Sequence, residues 1–159
     1  MSETLGKSAA KIQSELNKHG LELRVVTMQE STRTCVEAAN SIGCEVGQIV
    51  KSMIFQGKTS GQPVLIVASG NNRINEKKMK QYLGEAVSRP DAKYVQETTG
   101  FAIGGIPPIG HINKLTCFID ADLFQYNEIW AAAGTPFDVF CLSPQQLLAI
   151  TQGKIIDVK

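Results

Sequence analysis

Two apolar, β-branched segments separated by a short polar loop constrain the fold of this chain more than any other feature. Gln48 to Gln56 and Pro63 to Ser69 are rich in Val and Ile, and Gly57-Lys-Thr-Ser-Gly-Gln62 between them has the composition of a hairpin loop. The two segments therefore predict an antiparallel pair of strands. Any fold proposed for this chain has to place that pair in a β-sheet.

Short helices and further strands flank this hairpin on both sides. Helical spacing and capping residues predict helices over Ser8 to His19, Thr34 to Ile42, Asn75 to Leu83, Pro90 to Gly100 and from Ser143 onwards, the last followed by a short tail. Apolar patterns predict strands over Leu21 to Thr27, Leu115 to Asp120 and Phe137 to Leu142. We therefore expect one mixed α/β domain over residues 1–159, with a compact curved mixed β-sheet or barrel surrounded by short helices.

The charge balance excludes a protein that binds nucleic acid through its overall field. The chain has 16 Lys and Arg against 15 Asp and Glu, for a net charge of +1. Positive charge is nevertheless concentrated locally, because Arg73, Lys77, Lys78 and Lys80 lie in a single stretch. This stretch is either a local contact for phosphate or the solvated face of a helix.

Neither a secretion signal nor a membrane segment is recognisable in the sequence. Met1 to Ser8 is polar, and no apolar run is long enough to cross a bilayer. Cys35, Cys44, Cys117 and Cys141 form no Cys-x-x-Cys pair and are interpreted as structural thiols. We therefore expect a cytoplasmic protein with no membrane partner.

The run Gly100-Phe-Ala-Ile-Gly-Gly-Ile-Pro-Pro-Ile-Gly-His111 is the first candidate for a functional site. Glycines permit unusual backbone angles and close approach, and consecutive prolines fix the direction of the chain. Such a loop can present backbone amides to a phosphate or to the oxyanion of a tetrahedral intermediate. The alternative is a rigid turn that only joins two elements.

Lys51 is the second candidate, because it lies in a predicted strand whose neighbours should be mostly buried. Lysine is rarely buried without a partner, so Lys51 is expected to open onto a cleft and to hold a phosphate, an ester carbonyl or a carboxylate. The alternative is a lysine at the end of a strand that reaches into solvent.

A third candidate is the small-residue turn Ala131-Ala-Ala-Gly-Thr-Pro136, where a ligand or a neighbouring backbone can approach closely. The Gly-x-Ser-x-Gly elbow, the P-loop, the dinucleotide fingerprint and the His-Glu-x-x-His motif are all missing from the sequence. We therefore expect neither a metal ion nor a cofactor. Cys117 and His111 are not interpreted as a nucleophile pair, because Cys117 lies on an apolar strand.

The combination of these segments resembles the YbaK/EbsC family, which is related to the editing insertion domain of bacterial prolyl-tRNA synthetases. The resemblance extends over roughly Thr32 to Ile150 and is carried by Gly47-Gln-Ile-Val-Lys-Ser-Met-Ile-Phe55 together with Gly104-Gly-Ile-Pro-Pro-Ile-Gly-His111. It implies a YbaK-like fold and a single-domain hydrolase. Such an enzyme cleaves the aminoacyl ester of mischarged tRNA in trans, after the synthetase has released it.

The resemblance also implies roles for individual residues. Lys51 orients the aminoacyl-adenosine end, and the backbone of Gly104, Gly105 and Ile106 polarises the ester. His111 shapes the pocket, with general-base catalysis as a less favoured alternative. The remaining substrate-binding residues are expected to be Pro107, Gly110, Gly134 and Thr135 in the pocket and Arg73, Lys77 and Lys78 at its mouth.

The implied substrate is the acceptor end of a tRNA charged with a small amino acid, either Ala, Ser, Thr or Cys. An aminoacyl-tRNA synthetase is a second candidate partner. Two other functions are compatible with the sequence. One is a module that binds an aminoacylated end or a synthetase without hydrolysis, and the other is a hydrolase of a small ester or amide unrelated to tRNA.

Overall fold

A computed structural model describes residues 5–159 of the chain. This range contains five α-helices: α1 (Lys7–Lys18), α2 (Cys35–Ile42), α3 (Glu76–Leu83), α4 (Ala92–Thr99) and α5 (Pro144–Thr151). The strands are β1 (Val25–Thr27), β2 (Ile49–Gly57), β3 (Pro63–Ser69), β4 (Val87–Ser88), β5 (Thr116–Asp120), β6 (Ile129–Ala132), β7 (Asp138–Leu142) and β8 (Lys154–Ile156). Short 3₁₀ turns precede β2 and follow β5.

The strands of the described residues form one eight-stranded mixed sheet in the order β1-β7-β6-β2-β3-β5-β8, with β4 paired to β2. The predicted hairpin is confirmed, since β2 and β3 pair antiparallel from Val50 opposite Ser69 to Gln56 opposite Pro63. On either side of the hairpin the pairing is parallel, β6 against β2 and β5 against β3. The mixed α/β class expected from the sequence is therefore confirmed.

Helices cover both faces of this sheet. The main core packs α1, α4 and α5 against one face, where β2 contributes Val50 and Ile54. The opposite face carries α3, whose Met79 packs on Phe55, and α2, which packs on Ile49. The central strand β3 is consequently buried on both sides, which explains its continuous apolar sequence.

Local capping chemistry determines where most helices begin. The side chains of Thr34, Asn75 and Ser143 accept hydrogen bonds from backbone amides in the first turns of α2, α3 and α5, as predicted. The predicted start of α4 at Pro90 is wrong by two residues. Asp91 caps that helix instead by accepting from the amide of Tyr94 at 2.8 Å, which leaves Pro90 outside it.

The strand predictions are wrong at both edges of the sheet. The first predicted strand is shorter than Leu21 to Thr27, because the side-chain amide of Gln13 bonds the Leu23 carbonyl and the Val25 amide, both at 2.8 Å, where a neighbouring strand would pair. The predicted C-terminal tail is a strand, since β8 pairs parallel with β5. The short strands β4 and β6 were not predicted. Among residues 5–159, no helix is long and apolar enough to cross a membrane.

Candidate functional site

A cavity of about 370 Å³ opens where β2 and β6 separate. These strands pair over only two positions, Ile49 with Trp130 and Val50 with Ala131, so β2 continues past the junction without a partner there. Both α2 and the loop that precedes β5 contribute to the wall of the cavity. Its lining includes residues 49–52 of β2, 130–132 of β6, Cys35, Ala38 and Ile42 of α2, and Ile103, Gly104 and Ile106 of the loop.

Lys51 lines this cavity together with Gly104 and Ile106, so the structure brings together three of the residues singled out from the sequence. Lys51 is half-buried and lies close enough to the thiol of Cys35 for its charge to act on it. Burial nevertheless raises the pKa of Cys35, and the positive charge of Lys51 opposes this shift only in part. The Cys35 thiol is therefore protonated at neutral pH and unsuited to act as a nucleophile.

Gly104 and Gly105 serve different purposes in the loop. Gly104 has φ +103°, and a Cβ there would lie 2.9 Å from Cγ of Arg33, whose side chain passes over it. Gly105 lies against the backbone of Thr135, where a Cβ would approach within 2.7 Å of Cα. The Gly105 amide donates to the Ala102 carbonyl at 3.2 Å, so the amide of Gly105 is occupied within the loop.

The turn that contains Gly134 and Thr135 packs against the loop and does not line the cavity. The Gly134 amide donates to the Gly105 carbonyl at 2.9 Å. Thr135 donates its hydroxyl to the buried carboxylate of Asp138 at 2.5 Å, and Thr27 donates to the same carboxylate from β1. Asp138 was missed in the sequence, although the spacing Thr135-Pro-Phe-Asp138 is that of a side-chain-closed turn.

Arg33 is a second residue missed in the sequence. It lines the cavity with Lys51, and hydrogen bonds hold the residues before and after it, Thr32 and Thr34. The Thr32 amide and hydroxyl both donate to the Pro136 carbonyl, at 2.6 and 2.8 Å, and Thr34 caps α2. Among the described residues no carboxylate pairs with Arg33, and no aspartate or glutamate lines the cavity. The cavity therefore favours an anionic or electron-rich ligand.

The second half of the Gly/Pro run turns away from this cavity. Gly110 and His111 line a different hollow of about 270 Å³ beside α1, and Pro107 is buried and lines neither cavity. His111 donates Nε2–H to the Pro107 carbonyl at 2.7 Å. Burial lowers the pKa of His111, more than the bond to Pro107 raises it, and nearby Lys11 lowers it further. His111 is therefore neutral at pH 7 and is hydrogen-bonded within the loop. It lies at a different hollow from Lys51.

The basic stretch is also separate from the cavity wall, since neither Arg73, Lys77 nor Lys78 lines it. Arg73 and Lys77 are exposed. Lys78 bonds the carboxylate of Asp157 at 2.7 Å and the carbonyl of Lys159 at 3.0 Å, which ties α3 to the C-terminal segment. Among residues 5–159 the structure places no three metal-ligating side chains together.

Known proteins are similar to this chain in sequence and in fold. The sequence model of the aminoacyl-tRNA editing domain matches residues 29–150. EbsC of Enterococcus faecalis, a candidate Cys-tRNA(Pro)/Cys-tRNA(Cys) deacylase, is 31% identical over 121 residues, which are 76% of this chain and 73% of EbsC. The multifunctional Ser/Thr-tRNA deacylase ProXp-y of Escherichia coli is 27% identical over 148 residues, 91% of this chain and 88% of ProXp-y.

A solved structure agrees with these sequence matches. The crystal structure of a candidate trans-editing enzyme for prolyl-tRNA synthetase is 43% identical and has a TM-score of 0.92, covering 98% of this chain and 99% of that one. The resemblance seen in the sequence and the YbaK-like fold expected from it are therefore confirmed. This chain belongs to the aminoacyl-tRNA editing domain family.

Proposed function

We propose that this protein is a trans-editing hydrolase that cleaves the ester between a small amino acid and the wrong tRNA. The observation that carries the proposal is the cavity that joins Lys51 to Gly104 and Ile106, with Arg33 at its wall and no carboxylate in its lining among the described residues. An aminoacyl ester is already activated. A site that orients it and stabilises negative charge is therefore sufficient for hydrolysis by water.

Each wall of the cavity has a part in this reaction. Lys51 orients the terminal nucleoside and its ester through its ammonium group. The amides of Gly104 and Ile106 have no hydrogen-bond partner among the described residues, and they polarise the ester carbonyl as negative charge develops on its oxygen. Gly105 acts indirectly, because its packing on Thr135 holds the two neighbouring amides in place. Water is the nucleophile, since burial keeps the nearby Cys35 thiol protonated.

The substrate is the acceptor end of an aminoacyl-tRNA carrying Ala, Ser, Thr or Cys. The apolar wall made by Val50, Ile106 and Ala131 accepts a small side chain, and relatives named for Cys-tRNA and Ser/Thr-tRNA support this size class. A synthetase is a second partner, supported by the name of the solved relative. Such a substrate places the activity in the cytoplasm.

Two groups of cations are available for the phosphates of the tRNA. Arg33 lies at the cavity, whereas Arg73, Lys77 and Lys78 lie outside its wall. We assign the phosphate nearest the ester to Arg33 and more distant phosphates of the acceptor stem to the basic stretch. Reversal of all three charges in the basic stretch should weaken hydrolysis of full-length substrate at low salt. Unchanged activity would remove that stretch from the proposal.

The direct test is release of amino acid from a panel of mischarged tRNAs by the purified protein. Lys51→Ala should lower kcat/KM by about 100-fold or more, the scale for loss of one preorganised electrostatic contact, without changing Tm. Lys58→Ala is the matched control, because Lys58 is exposed in the hairpin loop. No release from any substrate at protein concentrations equal to tRNA would refute the hydrolase. Binding without turnover would identify a recognition module instead.

A further inference from the structure

Ser52 has a hydroxyl that no residue in the described part of the chain satisfies. Its Oγ is buried, and it is the one buried side-chain N or O atom without a hydrogen-bond partner in the part of the chain that the structure describes. Ser52 also lines the cavity, next in sequence to Lys51. Buried polar groups are nearly always hydrogen-bonded, so an unpaired hydroxyl at a cavity wall marks a contact reserved for a ligand.

Ser52 and Lys51 mark different ends of the cavity. Successive side chains of a strand point to opposite faces, so Ser52 shares its face with Val50, on the side of the main core. Ile106 and Ala131, which also line the cavity, belong to the same core. One end of the cavity, here the cationic end, therefore carries the charge of Lys51 beside apolar Ala38 and Ile49. The other, here the apolar end, has a single hydroxyl and no charged side chain on that face of β2.

The chemistry of an aminoacyl ester decides which of its groups meets Ser52. The ester and phosphate oxygens are attracted to the cationic end. The α-ammonium group is excluded from the apolar end, because one neutral hydroxyl cannot replace its hydration and the charge of Lys51 repels it. The amino-acid side chain remains as the group that reaches Ser52.

We propose that Ser52 selects substrates whose side chain carries a hydroxyl, serine and threonine, over alanine. This inference rests on the proposed function and narrows its substrate class. A substrate hydroxyl completes a hydrogen bond with Ser52 Oγ, whereas the alanine methyl group leaves that oxygen unpaired. Cysteine falls between them, because a thiol forms only weak hydrogen bonds.

The test compares serine, threonine and alanine esterified to the same tRNA. Ser52→Ala should lower kcat/KM for seryl- and threonyl-tRNA by about 10-fold, the scale of one neutral hydrogen bond, and leave alanyl-tRNA unchanged. Ser52→Thr retains the hydroxyl and should retain the preference. The Tm of Ser52→Ala should equal or exceed that of the wild type, because an unpaired buried hydroxyl is removed. Ser88→Ala is the matched control, since Ser88 lies on β4 and bonds the Gln56 carbonyl.

The possible outcomes separate the inference from the function beneath it. If wild-type protein hydrolyses these substrates and Ser52→Ala reduces all three equally, or none of them, the assigned selection is overturned. A lower Tm with an unchanged ratio of seryl- to alanyl-tRNA hydrolysis would show a structural role for Ser52 and would also overturn it. If wild-type protein releases no amino acid, the proposed function fails first, and the inference falls with it.

Discussion

Replacement of Gly105 by alanine is expected to damage the site without touching any residue that lines it. A Cβ at this position would lie 2.7 Å from both Cα and C of Thr135 and 2.8 Å from its nitrogen. These are backbone atoms, and the turn they belong to is held by the bonds of Thr135 and Thr27 to Asp138. The contact therefore cannot be relieved by rotation of a side chain, and the loop has to move.

The added methyl group overlaps backbone atoms, so the free energy of unfolding should fall. An added methyl group in a closely packed interior destabilises a protein by about 2 kcal/mol. For a chain of this length such a loss lowers Tm by about 4 to 8 °C. The loop carries Gly104 and Ile106 on either side of the substitution, and a shift of about 1 Å in positioning groups costs about 100-fold in rate.

Thermal unfolding and deacylation kinetics of Gly105→Ala measure the two effects. Gly6→Ala is the matched control, because a Cβ there meets no atom of residues 5–159 within 4 Å and its φ of −64° suits any residue. The control should stay close to the wild type in both assays. If Gly105→Ala has the wild-type Tm and kcat/KM, the loop does not depend on close packing against Thr135, and the indirect role given to Gly105 is wrong.

Two further predictions concern the titration of His111 and the charge of Arg33. Burial lowers the pKa of His111 below its ordinary 6.5, so as pH falls the unfolded chain binds a proton before the folded one does. The stability contributed by neutral His111 is thus complete above about pH 6.5 and is lost as pH falls toward the lower folded pKa. Plots of Tm against pH should be flatter for His111→Gln than for wild type. Equal slopes for the two proteins would contradict the burial effect. For Arg33→Gln, the salt dependence of KM for full-length tRNA should flatten by about one unit of log–log slope, while Lys18→Gln should not change it. If Arg33→Gln keeps the wild-type salt dependence, Arg33 makes no phosphate contact.

Helix ends were predictable because their chemistry lies within a few residues. Thr34, Asn75 and Ser143 each satisfy an amide three positions away, so the sequence window that contains the signal also contains the structure. Pro90 shows the limit of this reasoning. It suits the first position of a helix, but a carboxylate one residue later offers a stronger cap, and the helix begins after it.

The edges of the sheet were not predictable, because strand pairing is decided by distant residues. The segment Lys154–Ile156 is too short to be distinguished from a tail, and it becomes a strand only because β5 presents an unpaired edge to it. The reverse happens before β1, where Gln13 of α1 takes the hydrogen bonds that would have extended the strand to Leu23. In both cases a residue or strand that is distant in sequence, and not the local pattern, decides whether the segment forms a strand.

The candidate site shows both sides of this limit. Lys51 and the glycine loop were paired through their resemblance to a family, and the structure places them at one cavity. The sequence run from Gly104 to His111 nevertheless reads as one motif, whereas the buried prolines carry the chain from that cavity to a second hollow. Because His111 belongs to the same sequence run as Gly104, the sequence predicted that it shapes the pocket of Lys51. In the structure His111 lines the second hollow instead. Arg33 and Ser52 were not named as site residues for the opposite reason. An arginine before a helix cap and a serine in a strand become distinctive only when the described residues are seen to offer them no partner.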